Sequence, residues 1–313
     1  MSSIHNETPL IPTTYDPAAG SPVLVVRQLC KTFGKQKVLQ NLDWEVASGQ
    51  VIGLLGRNGA GKTTLLRCLL GLTPSTAGSV EILGQPMDEP RGERLHRISY
   101  VPQSFDLFPW MKVGAYLSFT AAFYRHWNGD LVSRLLQEWQ LETGKKIAAL
   151  SQGQRQMLAI IRALAPDPDL LLLDEPVASL DPIARRDFLA TLLPLVRRPG
   201  KTVIFSTHIT TDLERVDADI ALLRDGRIRF TRPLRELHEQ LQKVKLTRNE
   251  GRFDTAPELP GTLTARVEAG VARYVLDRSH PHTMPMLQAL AERENAKVSM
   301  QTMSLEDLFV ELA

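Results

Sequence analysis

Residues 51–70 carry a pattern that few folds accommodate, because an apolar run, a glycine-rich loop and a helical segment follow one another directly. Val51–Leu55 suits a buried strand, and Leu65–Leu70 has helical character. The loop between them reads Gly56-Arg57-Asn58-Gly59-Ala60-Gly61-Lys62-Thr63-Thr64. It matches G-x-x-x-x-G-K-[ST] in the strand-to-helix context that a phosphate-binding loop requires. The sequence therefore predicts an α/β fold built around a P-loop.

The chemistry of this loop follows from its residue types. Glycines allow backbone N–H groups to close around phosphate oxygens, and the helix N terminus adds the positive end of its dipole. Lys62 is predicted to reach the β- and γ-phosphates of a nucleotide, and the Thr63 hydroxyl to bind Mg²⁺. An ordinary glycine-rich turn is the alternative, but it does not explain why every motif position is filled.

Two further apolar runs end in polar residues. Leu170–Leu173 is followed by Asp174 and Glu175, and Val203–Thr207 is followed by His208. Ligands bind outside the carboxyl ends of parallel strands, so His208 is expected to face the γ-phosphate. The two carboxylates can divide the work: Asp174 would hold Mg²⁺ and Glu175 would polarise the attacking water. The alternatives are a solvated loop for the carboxylates and a structural role for the histidine.

The composition is that of a globular protein with no strong charge preference. The chain has 313 residues, 43% of them hydrophobic, and its 37 basic and 35 acidic side chains give a net charge of +2. This weak field gives no electrostatic reason to expect nucleic-acid binding. Cys30 and Cys68 are too few for a disulfide framework or a four-cysteine metal site, which favours a reducing compartment.

The sequence predicts no membrane anchor. Residues 1–22 lack both a basic start and an apolar core, so we expect a loose tail rather than a secretory signal. No uninterrupted apolar run is long enough to cross a bilayer. If the protein serves a membrane, another chain is expected to supply the spanning segments.

The order and approximate spacing of the motifs resemble the ATP-binding subunits of ABC transporters from Val23 to about Phe230. The resemblance implies a P-loop NTPase core of the ABC ATPase type, with an inserted helical subdomain and a small C-terminal α+β extension. It matches the Walker A loop to 56–64, the Q-loop glutamine to Gln103, the signature to 150–154, Walker B to 170–175, the D-loop to Ser179-Leu180-Asp181 and the switch histidine to His208.

The resemblance also implies the ligands and the residues that hold them. ATP and Mg²⁺ are the expected cofactors, with Thr63, Gln103 and Asp174 at the metal and with Glu175, His208 and Gln103 as the catalytic group. Phe33 lies where the family places an aromatic residue that stacks on adenine, although a core phenylalanine is the alternative. ATP is expected to contact Phe33, Gly56, Arg57, Asn58, Gly59, Ala60, Gly61, Lys62, Thr63 and Thr64.

The signature reads Leu150-Ser151-Gln152-Gly153-Gln154, whereas the family has Leu-Ser-Gly-Gly-Gln. The resemblance implies that Ser151, Gly153 and Gln154 contact ATP bound to a second ATPase subunit, with a following helix at 155–165 aimed at the phosphate. Asp181 would communicate across that interface. A side chain at Gln152 is tolerated if it points away from the phosphate.

We expect a flexible tail at 1–22, an ATPase domain at 23–231 with a helical subdomain at about 104–165, and an accessory module at 232–313. Phe105–Met111 predicts either subdomain core or a groove for a partner's helix. In the module, strands are predicted at 243–246, 262–267 and 271–276, with a tight turn at 269–270 and a helix at 284–295. Ser304 and Asp307 form a predicted capping box for a last helix, and packing on the ATPase core is the expected role of the module.

Two functions remain open from the sequence. The first is a peripheral ATPase at the cytoplasmic face of a bacterial inner membrane, which drives a separately encoded permease together with an identical or paralogous ATPase subunit. Similarity of Val113–Trp127 and of the closing Leu305–Phe309 segment to ABC-2-type ATPases favours export. The alternative is a soluble ABC-type ATPase that acts on nucleic acid or ribosomes. Such proteins usually add coiled coils, zinc-binding cysteines or a second ATPase domain, and this sequence shows none of them, so nucleic acid is not expected as a partner.

A third function, that of a P-loop GTPase or kinase, has no use for the signature. It also predicts a guanine-specifying Asn-Lys-x-Asp motif, which the sequence lacks.

Overall fold

The computed structural model describes residues 22–87, 92–104, 107–178, 180–196, 198–210, 213–214 and 218–312. They form three sheets with the strand orders β2-β1-β4-β5, β10-β9-β3-β8-β7-β6 and β12-β13-β11-β14. The strands are β1 Pro22–Phe33, β2 Gln36–Ala47, β3 Val51–Leu55, β4 Ala77–Ile82, β5 Gln85–Pro86, β6 Ile98–Val101, β7 Leu170–Asp174, β8 Thr202–Thr207, β9 Asp219–Arg224, β10 Arg227–Pro233, β11 Leu241–Arg248, β12 Thr262–Glu268, β13 Val271–Asp277 and β14 Ala296–Thr302.

The described α-helices connect and cover these sheets. They are α1 Lys62–Leu69, α2 Val113–Ala121, α3 Gly129–Glu138, α4 Gln152–Leu164, α5 Pro182–Val196, α6 Leu234–Gln240, α7 Thr283–Arg293 and α8 Leu305–Leu312. None of them is long and apolar enough to cross a membrane. The helix predicted at 155–165 begins three residues earlier, at Gln152, because Ser151 caps it.

The second sheet is the frame of the molecule. Strands β9, β3, β8, β7 and β6 run parallel, and β10 pairs antiparallel with β9. Strands β7 and β8 are buried along their whole length, which explains their continuous apolar runs. Parallel strands end at the same edge, so the residues that follow Leu55, Asp174 and Thr207 are neighbours there.

Apolar side chains cover both faces of this sheet. On one face Ile52, Leu172 and Ile204 pack with Leu65 and Leu69 of α1 and with the first sheet. On the opposite face the alternate strand residues pack with α4 and α5, and the helical segment α2 to α4 joins the same cluster. The alternation of strand side chains thus places α1, and with it the glycine loop, on one face.

The C-terminal module has a four-stranded antiparallel sheet covered by α7 on one face. The predicted turn between β12 and β13 is present, since Ala269 and Gly270 have φ of +53° and +79°. The predicted capping box is also present, since the Asp307 N–H donates to Ser304 Oγ at 3.0 Å. The sequence patterns predicted neither α6 nor β14. The proposed domain boundary at 231/232 falls within β10.

The module contacts the rest of the chain through apolar and ionic pairs. Leu305 and Leu308 of α8 belong to the same apolar cluster as Leu241 and the core helices. Arg232 of β10 lies 2.6 Å from Asp277 of β13. Burial opposes ionisation of Asp277, but hydrogen bonds from Ser279 and Arg232 outweigh it and hold the pKa of this carboxyl below its usual range.

Candidate functional site

The glycine loop joins β3 to α1 and leaves the N terminus of that helix open. Lys62 is the first residue of α1, and the helix start carries no side-chain cap. Its leading N–H groups and its dipole are therefore available to an anion. Gly61 has φ +102°, and a Cβ at this position would lie 2.9 Å from Val38 Cγ1. Both the backbone conformation and the available space require glycine here.

The Lys62 ammonium is held between the loop and the end of β7. Nζ donates hydrogen bonds to the carbonyl oxygens of Gly56 at 2.7 Å and Arg57 at 3.4 Å. It also lies 3.5 Å from Glu175 Oε1, and both side chains are 7% exposed. A buried cation is thus fixed where phosphate oxygens would enter.

Asp174 ends β7 and is completely buried. Its Oδ1 accepts a hydrogen bond from Ser206 Oγ at 2.6 Å. Its Oδ2 is also buried and makes no hydrogen bond of normal length to the described residues. Tyr100 approaches Asp174 from β6: burial raises the pKa of its phenol above the usual value, and the negative charge of Asp174 and a hydrogen bond with that carboxylate raise it further. One carboxylate oxygen is thus held while the other keeps its capacity to accept.

Glu175 connects the end of β7 to His208. It is 8% exposed and adopts φ +50°, a left-handed conformation that is uncommon for residues other than glycine. Its Oε2 lies 2.7 Å from Nδ1 of His208, whose side chain is 41% exposed. An ionised carboxylate only accepts hydrogen bonds, so Nδ1–H donates to Glu175 and Nε2 remains for another partner.

Lys62, Glu175 and His208 line a cavity of about 490 Å³ above the glycine loop. Most of the residues predicted to contact the nucleotide line this cavity. The predicted residues Gly56, Arg57, Ala60 and Asp174 are described by the structure but do not line it. Arg57 and Ala60 line an adjoining cavity of about 600 Å³. The full lining of the first cavity consists of Phe33, Gln36, Val38, Asn58, Gly59, Gly61, Lys62, Thr63, Thr64, Gln103, Glu175 and His208.

Phe33 lies at the rim of this cavity and not in the core. It is 50% exposed, and Lys31 Nζ lies 4.6 Å from the centroid of its ring. The alternative of a core phenylalanine is therefore wrong, and one face of the ring already carries a cation. Stacking on adenine remains a prediction for this side chain.

Ser151, Gly153 and Gln154 lie at the start of α4, outside the lining of the cavity that the described residues form. The Gln154 N–H donates to Ser151 Oγ at 3.1 Å, and the Ser151 N–H donates to Gln154 Oε1 at 3.1 Å. This reciprocal capping box fixes the loop. The Ser151 hydroxyl keeps its own proton to donate to a further acceptor.

The segment after β7 lies beside this helix start. Leu180 is buried, and a Cβ added to Gly153 would lie 2.8 Å from Leu180 Cδ2. Asp181 is exposed, and its Oδ1 accepts a hydrogen bond from the Ala184 N–H at 3.0 Å at the start of α5. Ser179 lies outside the described residues. The predicted D-loop and signature are thus in contact within one chain.

Comparison with known proteins identifies the family. A model of the ABC transporter family matches residues 39–178. The Nod factor export ATP-binding protein I of Cupriavidus metallidurans is 34% identical over 307 residues, which cover 93% of this chain and 97% of that protein. This chain belongs to the ABC transporter family. An uncharacterised ABC transporter ATP-binding protein of Bacillus subtilis is 29% identical over 305 residues, 93% of this chain and 99% of its own length.

Solved structures of ABC ATP-binding proteins share the fold. One ATP-binding subunit of an ABC transporter has a TM-score of 0.61 and 26% identity, and covers 69% of this chain and 92% of its own. A dimeric cassette in a post-hydrolysis state, bound to ADP and Pi, has a TM-score of 0.60 and 26% identity, and covers 67% and 98%. The predicted P-loop NTPase fold is confirmed, and the ABC protein described here is an ATPase that binds ATP.

The departure from the ABC signature lies on the surface. Gln152 is exposed in the first turn of α4, between the two partners of the capping box. The box is made without it, so the residue at this position does not disturb the loop within one chain. Within the chain the residue at this position therefore acts through helix propensity, and any further effect of Gln152 arises across an interface.

Replacing Ser151 with alanine is expected to weaken the ATP-dependent dimer more than replacing Gln152 with glycine. Ser151→Ala removes an N-cap worth about 1 kcal/mol as well as a hydroxyl donor. Gln152→Gly costs at most about 1 kcal/mol of helix propensity in an exposed first turn. Thermal unfolding and ATP-dependent sedimentation of both variants in a Glu175→Gln background measure the two effects. Equal losses of dimer affinity in the two variants would contradict this order.

Three residues of the site were not predicted. Gln36 and Val38 of β2 line the cavity. Ser206 of β8 hydrogen-bonds to Asp174 and to the Glu175 N–H. Ser206 stood two residues before His208 in an apolar run, where a lone hydroxyl is a signal that sequence reasoning could have used.

Proposed function

We propose that this ABC protein is the ATP-hydrolysing subunit of an exporter and drives separately encoded membrane permease subunits. The carrying observation is that Lys62, Glu175 and His208, which follow three different strands, meet within hydrogen-bonding or ion-pair distance above the P-loop. Export is supported by the Cupriavidus relative, which is named an export ATP-binding protein and is similar over nearly its whole length. The similarity of Val113–Trp127 to ABC-2-type ATPases favours that subtype.

In this proposal, hydrolysis is divided among three side chains. Lys62 exchanges its hydrogen bonds with the carbonyl oxygens of Gly56 and Arg57 for contacts with the β- and γ-phosphates. Glu175 orients the attacking water, since it is the carboxylate nearest the P-loop cavity. His208 holds Glu175 through Nδ1 and offers Nε2 to the γ-phosphate. The three groups thus supply charge, base and orientation within one small volume.

The residues present fit Mg²⁺. The buried Oδ2 of Asp174 makes no hydrogen bond of normal length to the described residues, and Thr63 and Gln103 line the neighbouring cavity. Carboxylate, hydroxyl and amide groups all offer oxygen atoms, which are the ligands that Mg²⁺ prefers. When bound, the ion would neutralise charge that develops on the transferred phosphoryl group. Asp174, Thr63 and Gln103 would hold it.

We propose that two such subunits close around two ATP molecules. The signature residues lie away from the P-loop cavity of their own chain, so they are available to ATP on the other subunit. The 13-residue helix α4 directs its N terminus and the Ser151 hydroxyl to that γ-phosphate. The second subunit is a copy of this chain or a paralogue, and Asp181 contacts it. Loss of the γ-phosphate releases the closure.

The helical segment offers a surface for the permease. Phe108, Trp110, Phe119 and Phe123 are exposed, with Trp110 at 70% and Phe123 at 63%. Their rings contact one another, and the centroids of Phe119 and Phe123 are 5.1 Å apart. The two alternatives for 105–111 both hold in part: Leu107 and Met111 pack into the core, whereas Phe108 and Trp110 belong to the exposed surface. Phe105 and Asp106 lie outside the described residues.

A cavity of about 470 Å³ is lined among others by Arg67, Tyr100, Tyr124 and Arg162, and Tyr124 directly follows Phe123 of the aromatic surface. An exposed aromatic surface next to a basic groove suits an amphipathic helix that carries acidic residues. We propose that a cytoplasmic helix of the permease docks there. The protein would then lie peripherally on the cytoplasmic face of a bacterial inner membrane.

Affinity purification of the tagged chain from detergent-solubilised membranes tests the function. The expected result is a co-purifying polytopic membrane protein that stimulates ATP hydrolysis. Arg67→Glu is expected to lower recovery of that protein by about tenfold, because it reverses charge in the groove. Lys297→Glu is the control, since it also reverses a positive charge, at an exposed position of β14. Recovery with ribosomes or nucleic acid and no membrane protein would contradict the proposal.

A further inference from the structure

Ser206 occupies an unusual place for a serine. It lies in β8 directly opposite Asp174 of β7 and is completely buried. Its hydroxyl donates to Asp174 Oδ1 at 2.6 Å and accepts from the Glu175 N–H at 2.9 Å. One hydroxyl thus contacts both residues to which the proposed function assigns metal binding and water activation.

The bond to Glu175 acts on a strained backbone. Glu175 has φ +50°, and a non-glycine residue keeps a left-handed conformation only when its surroundings hold it. The Glu175 N–H donates to Ser206 Oγ and also approaches the Ser206 carbonyl oxygen at 3.2 Å. This conformation directs the Glu175 carboxylate to Lys62 and His208. The Ser206 hydroxyl is thus the nearer of two Ser206 acceptors that hold the Glu175 backbone in this conformation.

The hydrogen bond from Ser206 to Asp174 determines which of the two carboxylate oxygens is left for another ligand. Because Ser206 holds Oδ1, the carboxylate cannot rotate freely, and Oδ2 is the oxygen left without a hydrogen bond of normal length among the described residues. Partners of metal-binding carboxylates orient the ligand, and their loss typically lowers metal affinity or activity by about 10–100-fold. The Ser206 hydroxyl, by orienting Asp174, is therefore expected to affect the affinity of the site for Mg²⁺.

We propose that Ser206 is a positioning residue for ATP hydrolysis: its single hydroxyl orients the Asp174 carboxylate and pins the backbone of Glu175. It acts through these two residues and does not touch the nucleotide. The inference rests on the proposed roles of Asp174 and Glu175. It predicts that the hydroxyl affects metal use and turnover while leaving the phosphate-binding loop intact.

The test uses Ser206→Ala in the full-length chain. Turnover is expected to fall about 10–100-fold, and the Mg²⁺ concentration for half-maximal rate to rise about tenfold. Binding of a fluorescent ATP analogue without metal is expected to change less than about threefold, because Lys62 and the loop are untouched. Mn²⁺ binding in the presence of the nucleotide, followed by electron paramagnetic resonance, is expected to weaken in parallel and provides a readout independent of turnover.

Two variants separate positioning from stability. Thr202→Val removes a buried hydroxyl from the other end of β8, where Thr202 Oγ1 accepts from the Gly49 N–H at 3.0 Å. It is expected to lower thermal stability without altering the Mg²⁺ requirement. Ser206→Thr keeps the hydroxyl and is expected to restore the Mg²⁺ requirement to within about threefold of the wild type. If circular dichroism shows that Ser206→Ala does not fold, Ser206→Cys replaces it, since a thiol is a weak donor.

The outcomes are distinct. The inference is overturned if a folded Ser206→Ala or Ser206→Cys protein needs no more Mg²⁺ than the wild type. It is also overturned if Thr202→Val raises the Mg²⁺ requirement as much as Ser206→Ala does. A Ser206→Thr variant with wild-type thermal stability that still needs as much Mg²⁺ as Ser206→Ala also overturns it, because the hydroxyl is then present without effect. The proposed function fails separately if Glu175→Gln hydrolyses ATP normally. Normal Ser206→Ala with inactive Glu175→Gln rejects only the role of Ser206.

Discussion

Replacing Glu175 with glutamine is expected to lower ATP turnover by about 10²–10⁴-fold while leaving ATP binding intact. Glutamine has nearly the same shape, so the fold and the contacts of Lys62 with Gly56 and Arg57 persist. The change removes the carboxylate that would polarise water. It also removes a buried negative charge 3.5 Å from Lys62, which favours retention of the phosphates.

Slow hydrolysis should trap the closed state, so the variant is expected to form a dimer that depends on ATP. Phosphate release and sedimentation with and without ATP measure the two effects. Glu306→Gln makes the same change of charge at an exposed position in the first turn of α8 and serves as the control. A Glu175→Gln protein that stays monomeric in ATP and retains full turnover would refute the role of this carboxylate.

Replacing Lys62 with alanine is expected to weaken ATP binding by about 10–100-fold. Hydrogen bonds to charged groups contribute about 1.5–3 kcal/mol, and about 1.4 kcal/mol corresponds to a factor of ten. The buried ammonium is also a cation beside Glu175, so its removal leaves that carboxylate without this partner and lowers the stability of the folded chain. The loss of ATP affinity and the loss of stability both result from removing the buried ammonium group of Lys62.

Titration with a fluorescent ATP analogue and thermal unfolding separate these losses. Lys62→Met preserves more of the apolar contact of the side chain, so it is expected to lose affinity to a similar degree with a smaller loss of packing. Lys297→Ala removes a charge from exposed β14 and is expected to change neither quantity. Unchanged nucleotide affinity in Lys62→Ala would count decisively against the phosphate-binding role of the loop.

Local patterns predicted much of the molecule. The strand, loop and helix around the P-loop, the turn at Ala269-Gly270 and the capping box of Ser304 with Asp307 depend on residues that are neighbours along the chain. The helix α4 begins three residues before the predicted start at 155, because Ser151 acts as its N-cap. The strand β14 was missed because its mixed polar sequence alternates weakly and gains its stability from pairing with β11.

Contacts between distant segments were beyond sequence reasoning. Whether Phe33 is a core or a surface residue depends on what surrounds it, and it proved half exposed. The pairing of β7 with β8 brings Ser206 opposite Asp174, 32 residues apart in sequence. A serine in an apolar run gives no indication of its partner until the register of the two strands is known.

The sequence by itself determined the family, the P-loop and the residues that end β7 and β8. These features depend on residue types and on short spacings along the chain. Only the tertiary structure decided that Lys62, Glu175 and His208 meet at one edge of the sheet with the distances observed, and that the signature lies apart from the P-loop of its own chain. The physical reason is that strand order and register set which distant side chains become neighbours. Hydrogen-bond geometry and burial then follow from that register and not from the local sequence.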